Sequence, residues 1–141
     1  MGMIIEQDLH SLFPGLKRTL SAHKVELAYL FGSVAAGDAR PESDVDLAVL
    51  LPARTSSSNR FRTRLSLQSE LTRRYKKQFD VVLLNDTQSL LFLFVIISQG
   101  KRMYCSDESA LLSFEGEILA QYADFKPFLD QYEAHYIAKN L

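Results

Sequence analysis

Two aspartates separated by a single residue are the strongest chemical feature of this sequence. Asp44 and Asp46 open an apolar run that predicts a strand over residues 44–51, ended by Pro52. Alternate residues of a strand project from one face, so both carboxylates are expected on the same side of a sheet. Aspartate is disfavoured in strands and like charges repel, and a divalent cation is the simplest partner that makes such a pair favourable. The pair therefore predicts a metal site.

A Gly-Ser pair lies upstream of the aspartates. Gly32 and Ser33 follow a predicted buried strand over residues 25–31 and stand where a helix begins. Glycine permits close approach of the backbone, serine offers a hydroxyl, and the N–H groups at a helix start favour a phosphate. A phosphate site is therefore expected near the metal site.

A third acid occurs on the next predicted strand. Asp80 is the second residue of the otherwise apolar segment 79–84. If this strand is a neighbour of 44–51, three carboxylates converge, which suits two Mg²⁺ ions holding a nucleoside triphosphate for in-line attack at phosphorus. An isolated Asp-x-Asp is more often a surface or turn feature, and a strand-opening aspartate often faces solvent. The combination with Gly-Ser is what indicates catalysis.

The elements that must position these residues alternate between helix and strand. Apolar residues at helical spacing predict a helix over 5–20, interrupted at Pro14, and a second helix over 58–77. The apolar run 90–97 fits a strand or a buried helix, and we favour a helix because Gly100 can close it.

The remaining elements complete a mixed α/β pattern. A short strand is expected over 102–105, and Ser106 or Asp107 caps a long helical region that Pro127 is expected to split. The predicted order is α-β-α-β-α-β-α-β-α, which indicates an α/β domain.

Composition sets limits on the class of protein. The chain has 141 residues, 47% of them apolar, which is enough for one domain with a real core. Sixteen basic and 17 acidic residues give a net charge of −1, which excludes a generally basic, nucleic-acid-coating protein. The single cysteine, Cys105, excludes an intramolecular disulfide framework, and the first residues lack a signal-peptide pattern. We therefore expect a cytoplasmic protein without a membrane span.

The chemistry-bearing stretch resembles a known family. Gly32-Ser33, ten residues, and then Asp44-Val45-Asp46 is similar to the signature of the nucleotidyltransferase superfamily related to DNA polymerase beta. The fuller string, Gly-Ser-x-x-x-Gly-x-Ala-Arg-Pro-x-Ser-Asp-x-Asp-Leu, resembles the minimal nucleotidyltransferases, or MNT proteins. The resemblance covers residues 25 to about 105, and the chain's length and tail resemble MNT antitoxins encoded beside HEPN-domain ribonuclease toxins.

The resemblance implies a fold and a domain layout. The fold is the α/β (α+β) nucleotidyltransferase fold, a small mixed sheet flanked by helices with a C-terminal helical extension. Residues 1–141 would form a single nucleotidyltransferase domain, with a core over about 22–105 and a helical region over 106–141.

The resemblance also implies roles for individual residues. Gly32 and Ser33 would contact the β- and γ-phosphates of ATP, and Arg40 and Ser43 would also lie on the nucleotide-binding side. The metal ligands for two Mg²⁺ ions, which also form the catalytic set, would be Asp44, Asp46 and Asp80. Of these, Asp80 would complete the second metal site and help deprotonate the attacking hydroxyl. One position departs from the pattern: Ala36 stands where relatives commonly carry Arg or Lys, which predicts weaker triphosphate binding.

The function implied is that of the antitoxin in a type VII-like HEPN/MNT toxin–antitoxin pair. Such a protein is a Mg²⁺-dependent adenylyltransferase that moves AMP from ATP onto a tyrosine of the HEPN ribonuclease partner and so neutralises it. Two alternatives stay open: a non-catalytic antitoxin that occludes the toxin, and an aminoglycoside-type small-molecule nucleotidyltransferase. Template-directed polymerisation is less favoured because no domain for a primer is evident.

Two segments carry opposite charge. Residues 54–77 hold eight basic residues against one acid. A solvated helix face explains most of them better than a basic face for nucleotide phosphate, RNA or an acidic partner. Residues 105–141 hold seven acids against two lysines, a net charge of −5, together with an aromatic stripe. The stripe either packs on its own domain or docks a partner.

Overall fold

A computed structural model describes residues 6–40 and 42–140 of the chain. Residues 1–5, which belong to the N-terminal stretch without a signal-peptide pattern, and the side chain of Tyr136 in the C-terminal stripe lie outside this description. None of the described helices is both long enough and apolar enough to cross a membrane.

The described part of the chain forms helices and strands in nearly the predicted order. In chain order they are α1 (Glu6–Leu12), α2 (Leu16–Ala22), β1 (Leu27–Phe31), α3 (Gly32–Ala36), β2 (Val45–Leu50), α4 (Ser57–Tyr75), β3 (Phe79–Leu83), a 3-10 turn (Leu84–Asp86), α5 (Leu90–Gln99), β4 (Lys101–Cys105) and α6 (Glu108–Asn140). The break predicted at Pro14 separates α1 from α2, and the ambiguous run 90–97 is a helix. Both predictions are confirmed.

The four strands form one mixed sheet in the order β3-β2-β1-β4. β1 is antiparallel to β2 and to β4, whereas β2 and β3 are parallel. The parallel pairing depends on α4, which crosses over between β2 and β3 and packs against β3. Because β2 lies between β1 and β3, the residues at its beginning adjoin both the end of β1 and the beginning of β3.

A separate apolar cluster covers each face of the sheet. On one face, α1, α2 and α4 bury residues such as Leu9, Leu20 and Leu71 against the strands. On the other face, residues from α5 and α6, including Ile96 and Leu111, pack on β1. The strands are therefore held on both faces, and the chemistry-bearing residues occupy one end of this layered structure.

The basic segment is partly accounted for by structural contacts. The guanidinium of Arg60 forms an ion pair with Asp86 at 2.6 Å, which ties the beginning of α4 to the 3-10 turn after β3. Near the end of α4, the guanidinium of Arg74 donates a hydrogen bond to the hydroxyl of Thr19 on α2 at 3.4 Å. These contacts account for two of the eight basic residues, and the solvated helix face stays a prediction for the others.

The prediction that Pro127 splits the C-terminal helical region is wrong. α6 runs continuously over 33 residues with Pro127 in its interior. A proline removes one helical hydrogen bond and leaves the carbonyl four residues earlier, that of Ala123, without its donor. Ala123 and Pro127 both lie on an exposed stretch of α6, where water can solvate that carbonyl and the helix tolerates the loss.

A buried tyrosine links α6 to the sheet. The side chain of Tyr29, in the middle of β1, is 2% exposed and its hydroxyl donates a hydrogen bond to the carboxylate of Glu115 on α6. Burial and this carboxylate together raise the pKa of Tyr29 well above its ordinary value. The hydroxyl therefore stays protonated as a donor at physiological pH.

We expect Tyr29→Phe to lower the free energy of unfolding by about 1–3 kcal/mol, because the half-buried Glu115 carboxylate loses its donor. Urea unfolding followed by circular dichroism measures this change. Tyr104→Phe is the matched control, since the Tyr104 hydroxyl has no hydrogen bond to the described residues. Equal stability of the two variants would show that the Tyr29–Glu115 contact contributes nothing.

Candidate active site

The sheet register brings two of the three predicted acids together. Asp46 of β2 lies directly opposite Asp80 of the parallel neighbour β3. Adjacent strands are about 5 Å apart and register partners share a face, so the two carboxylates project side by side. On its other side Asp46 is paired with Phe31, the last residue of β1. The second aspartate of Asp-x-Asp thus stands between the third acid and the Gly-Ser pair.

Asp46 occupies an unfavourable position for a negative charge. Partial burial raises the pKa of its carboxyl, and the charges of Asp80 and Asp44 raise the pKa further. Asp44 comes just before β2 and is exposed, whereas Asp46 and Asp80 are half-buried. The three acids are therefore close enough to repel one another, as the Asp-x-Asp spacing predicts.

The described side chains do not form a closed metal site. Within residues 6–40 and 42–140, no group of three or more His, Cys, Asp or Glu side chains is arranged to hold a metal ion. The donor chemistry nevertheless fits a hard divalent cation, because carboxylate oxygens are the ligands Mg²⁺ prefers and a cation would relieve the repulsion at Asp46. The convergence of three acids on metal ions stays a prediction.

Gly32 is required where it stands for two structural reasons. Its φ of +75° lies in the left-handed region that favours glycine. A Cβ at this position would also collide with the carboxylate oxygen Oδ2 of Asp46, and it would lie 3.2 Å from the Cγ atom of that side chain. The glycine of the Gly-Ser pair and the second aspartate are therefore in direct contact.

The first turn of α3 opens onto a cleft. Phe31 occupies the N-cap position of α3 and provides no side-chain hydrogen bond to the first N–H groups of the helix. Beside this turn is a cleft of about 550 Å³, which Gly32, Ser33 and Ala36 line on one side. Uncapped N–H groups at a helix start favour an anion, so this end of the cleft suits a phosphate.

The opposite wall of the cleft was not predicted as part of the site. Phe92, Val95 and Gln99 of α5 line it, and the ring of Phe92 packs edge-to-face against Phe31 with centroids 5.6 Å apart. The sequence gives little indication of this wall. Its apolar residues belong to a run that burial alone explains, and the polar Gln99 near the end of that run is the one residue that could have suggested a site. The wall depends on the packing of α5 over β1, which no local pattern specifies.

Arg40 and Ser43 form a turn that leads into β2. The backbone N–H of Arg40 donates to the hydroxyl of Ser43 at 2.8 Å, and the N–H of Ser43 donates to the carbonyl of Arg40 at 2.9 Å. Neither residue is among those that line the cleft, and the Arg40 side chain is exposed. These contacts shape the loop before Asp44, and the predicted contact of either residue with nucleotide stays a prediction.

We expect Asp46→Asn to stabilise the fold at neutral pH. The raised pKa means that the folded state binds the Asp46 proton more tightly than the unfolded chain, so stability falls as pH rises from the ordinary value of 3.8 through the folded value. Asparagine does not ionise, so the Asp46→Asn variant does not lose this stability as pH rises. The carboxyl is half-exposed and solvent screens it, which limits the gain to roughly a few tenths of a kcal/mol.

Thermal unfolding across pH 3–7 measures this effect, with Glu42→Gln, at an exposed acid of the same loop, as the control. The wild type and the control should lose stability relative to Asp46→Asn as pH rises through this range. An Asp46→Asn protein less stable than the wild type at pH 7 would contradict the account of mutual repulsion.

The fold is similar to that of chains in solved toxin–antitoxin structures. A crystal structure of a toxin–antitoxin with AMP-PNP contains a chain that is 25% identical, with a TM-score of 0.62 over 92% of this chain and 99% of that one. A chain in a MntA–HepT toxin–antitoxin structure is 23% identical, with a TM-score of 0.60 over 88% of this chain and 98% of that one. A chain in the complex of a tri-AMPylated Shewanella oneidensis HEPN toxin with MNT antitoxin is 22% identical, with a TM-score of 0.56 over 92% of this chain and 99% of that one.

The comparison of sequences agrees with the comparison of structures. No functionally curated protein matches the chain. The family model described as "Polymerase beta, Nucleotidyltransferase" matches residues 15–109, which include the Gly-Ser pair, all three aspartates and all four strands. The chain therefore belongs to the polymerase beta nucleotidyltransferase family.

Proposed function

We propose that this chain is an antitoxin that transfers AMP from ATP to a tyrosine of a HEPN-type toxin. The main observation in support of this chemistry is the contact of Gly32 with the Asp46 carboxylate. Asp46 lies directly opposite Asp80, and Gly32 lines a cleft of nucleotide size. This arrangement sets a phosphate-binding turn next to acids able to act at phosphorus.

The site residues have separate roles in the transfer. The first turn of α3, with Gly32 and Ser33, binds the β- and γ-phosphates through its N–H groups and the serine hydroxyl. The tyrosine oxygen of the partner forms a bond to the α-phosphorus. The bond from that phosphorus to the bridging oxygen breaks, and diphosphate leaves with the electron pair. Asp80 accepts the proton of the hydroxyl as the new bond forms.

Mg²⁺ fits this site by the chemistry of its donors. We propose Asp44, Asp46 and Asp80 as the residues that would hold it, since each offers carboxylate oxygens and their repulsion falls when a cation binds. When bound, the metal neutralises charge on the phosphates and on the departing diphosphate. The family pattern suggests two ions.

The choice of partner rests on the structural neighbours. Chains of similar fold occur in structures with AMP-PNP, with HEPN toxin and with tri-AMPylated HEPN toxin. In the last of these structures the AMP groups are on a protein, the HEPN toxin. A protein acceptor is therefore favoured over an aminoglycoside-type substrate.

A second candidate, occlusion of the toxin without catalysis, is favoured by one observation. Ala36 in the cleft wall supplies no positive charge for a triphosphate.

One experiment separates the two proposals. A HEPN protein encoded beside this chain is expressed alone, with the wild-type chain, or with Asp44→Ala/Asp46→Ala. Growth restored by the wild type and not by the double variant, at matched amounts of complex, supports catalysis. Equal rescue by both would establish occlusion instead.

A further inference from the structure

The apolar face of α6 continues past the part of the domain that covers it. Leu111, Ile118, Phe125 and Tyr132 follow one another at intervals of seven residues, so they lie on nearly one side of the helix. The first two side chains are 9% and 4% exposed, whereas the last two are 43% and 68% exposed. One face of α6 is thus buried in its first half and open in its second half.

The second half of α6 is largely exposed. Within residues 123–135 every residue except the half-buried Leu129 is exposed, and Phe128 adds a second exposed phenylalanine at 67%. The 18 residues from 123 to 140 correspond to about 27 Å of helix. Large apolar side chains exposed along so long a helix segment indicate an interaction surface.

Helix α5 joins this surface to the nucleotide cleft. The ring of Phe94 on α5 stacks on Tyr122 of α6 with centroids 3.7 Å apart and planes 3° apart. Ile96 of α5 belongs to the same apolar cluster as Leu111 of α6, so the two helices pack against each other. Val95, the residue after Phe94, is 36% exposed and lines the cleft.

We infer that the α6 face formed by Phe125 and Phe128 docks the protein that accepts the AMP group. The inference rests on the proposed function, which requires a macromolecular acceptor at the cleft. A protein seated on this face adjoins Tyr122, which stacks on Phe94 of α5, and Val95 beside Phe94 lines the cleft, so the acceptor hydroxyl is brought toward the phosphates.

Charge favours a partner over a second copy of this chain. Residues 105–141 carry a net charge of −5, so two copies aligned along α6 would bring like charges together. A partner surface with an apolar centre and basic flanks is attracted to the same face. The occupant is therefore a basic, apolar surface of the acceptor protein.

Two double variants of the same helix test the assignment. Phe125→Glu/Phe128→Glu places two charges on the proposed face, and we expect it to weaken binding of the HEPN protein encoded beside this chain by at least about 30-fold. Leu112→Glu/Leu119→Glu is the matched control. It adds the same charge at leucines that are 72% and 50% exposed, about 100° around the helix from the stripe, and should change the dissociation constant less than about 3-fold. Circular dichroism verifies that both variants keep their helix content.

The readouts separate this inference from the proposed function. An unchanged dissociation constant for Phe125→Glu/Phe128→Glu overturns the docking face, even when AMP transfer persists. Lost binding by that variant, with no AMP transfer by the wild type, supports the docking face and contradicts the proposed chemistry. Sedimentation of the chain alone tests whether a second copy occupies the face. If the wild type is a dimer and Phe125→Glu/Phe128→Glu is a monomer, the face binds a second copy and the inference is overturned.

Discussion

Replacing Asp44 and Asp46 together by alanine is expected to reduce AMP transfer by about 10³-fold or more. Both carboxylates are proposed to hold the cation that neutralises the phosphates, and such stabilisation is worth several kcal/mol in the transition state. Because the substitutions also remove acids that repel each other, the variant should fold at least as well as the wild type. Initial rates at saturating ATP and Mg²⁺, with thermal unfolding in parallel, measure both effects.

Glu42→Ala is the control for this double variant. Glu42 is an exposed acid two residues before Asp44, so its loss changes the charge of the same loop without touching the proposed ligands. It should keep transfer within about 3-fold of the wild type. A double variant that retains comparable activity would remove the aspartates from the catalytic set.

Gly32→Ala is expected to have the second largest effect, because it disturbs the phosphate-binding turn and an acid at once. A φ of +75° costs a residue with a side chain about 1–2 kcal/mol, and the new Cβ collides with the Asp46 carboxylate. We expect a loss of stability of that size and a fall of at least about 10²-fold in kcat/KM. Urea unfolding and steady-state kinetics measure the two changes separately.

Gly116→Ala is the matched control for Gly32→Ala, and we expect it to raise stability rather than lower it. Gly116 lies in α6, and a Cβ there would meet no described atom within 4 Å. Because alanine has the higher helix propensity, this variant should gain about 0.5–1 kcal/mol of stability and keep its activity. If Gly32→Ala behaved in the same way, the contact between the turn and Asp46 would have no functional role.

The local chemistry of the site was predictable from sequence because it depends on short-range patterns. The strand period places Asp46 on a definite face, and a Gly-Ser pair after a buried strand indicates the start of a helix. The neighbouring position of Asp80 was a conditional prediction, and the parallel register of β2 and β3 now meets that condition. The domain boundaries, with a core over 22–105, stay a prediction.

Other features depend on contacts distant in sequence and were not predictable. The cleft wall from α5 arises when Phe92 packs on Phe31, 61 positions earlier in the chain. The continuity of α6 through Pro127 depends on the exposure of that turn, which composition does not give. Likewise the stripe on α6 is buried at Leu111 and Ile118 and exposed at Phe125, a difference that the helical spacing does not specify.

Direct analysis of the acceptor tests the central claim, that this chain modifies a protein partner. The HEPN protein is incubated with ATP, Mg²⁺ and either the wild-type chain or Asp44→Ala/Asp46→Ala, and its intact mass and modified residue are determined by mass spectrometry. We predict that the wild type adds one or more AMP groups to tyrosine and that the double variant adds none. An unmodified partner after incubation with the wild type, or equal modification by both proteins, would contradict the claim.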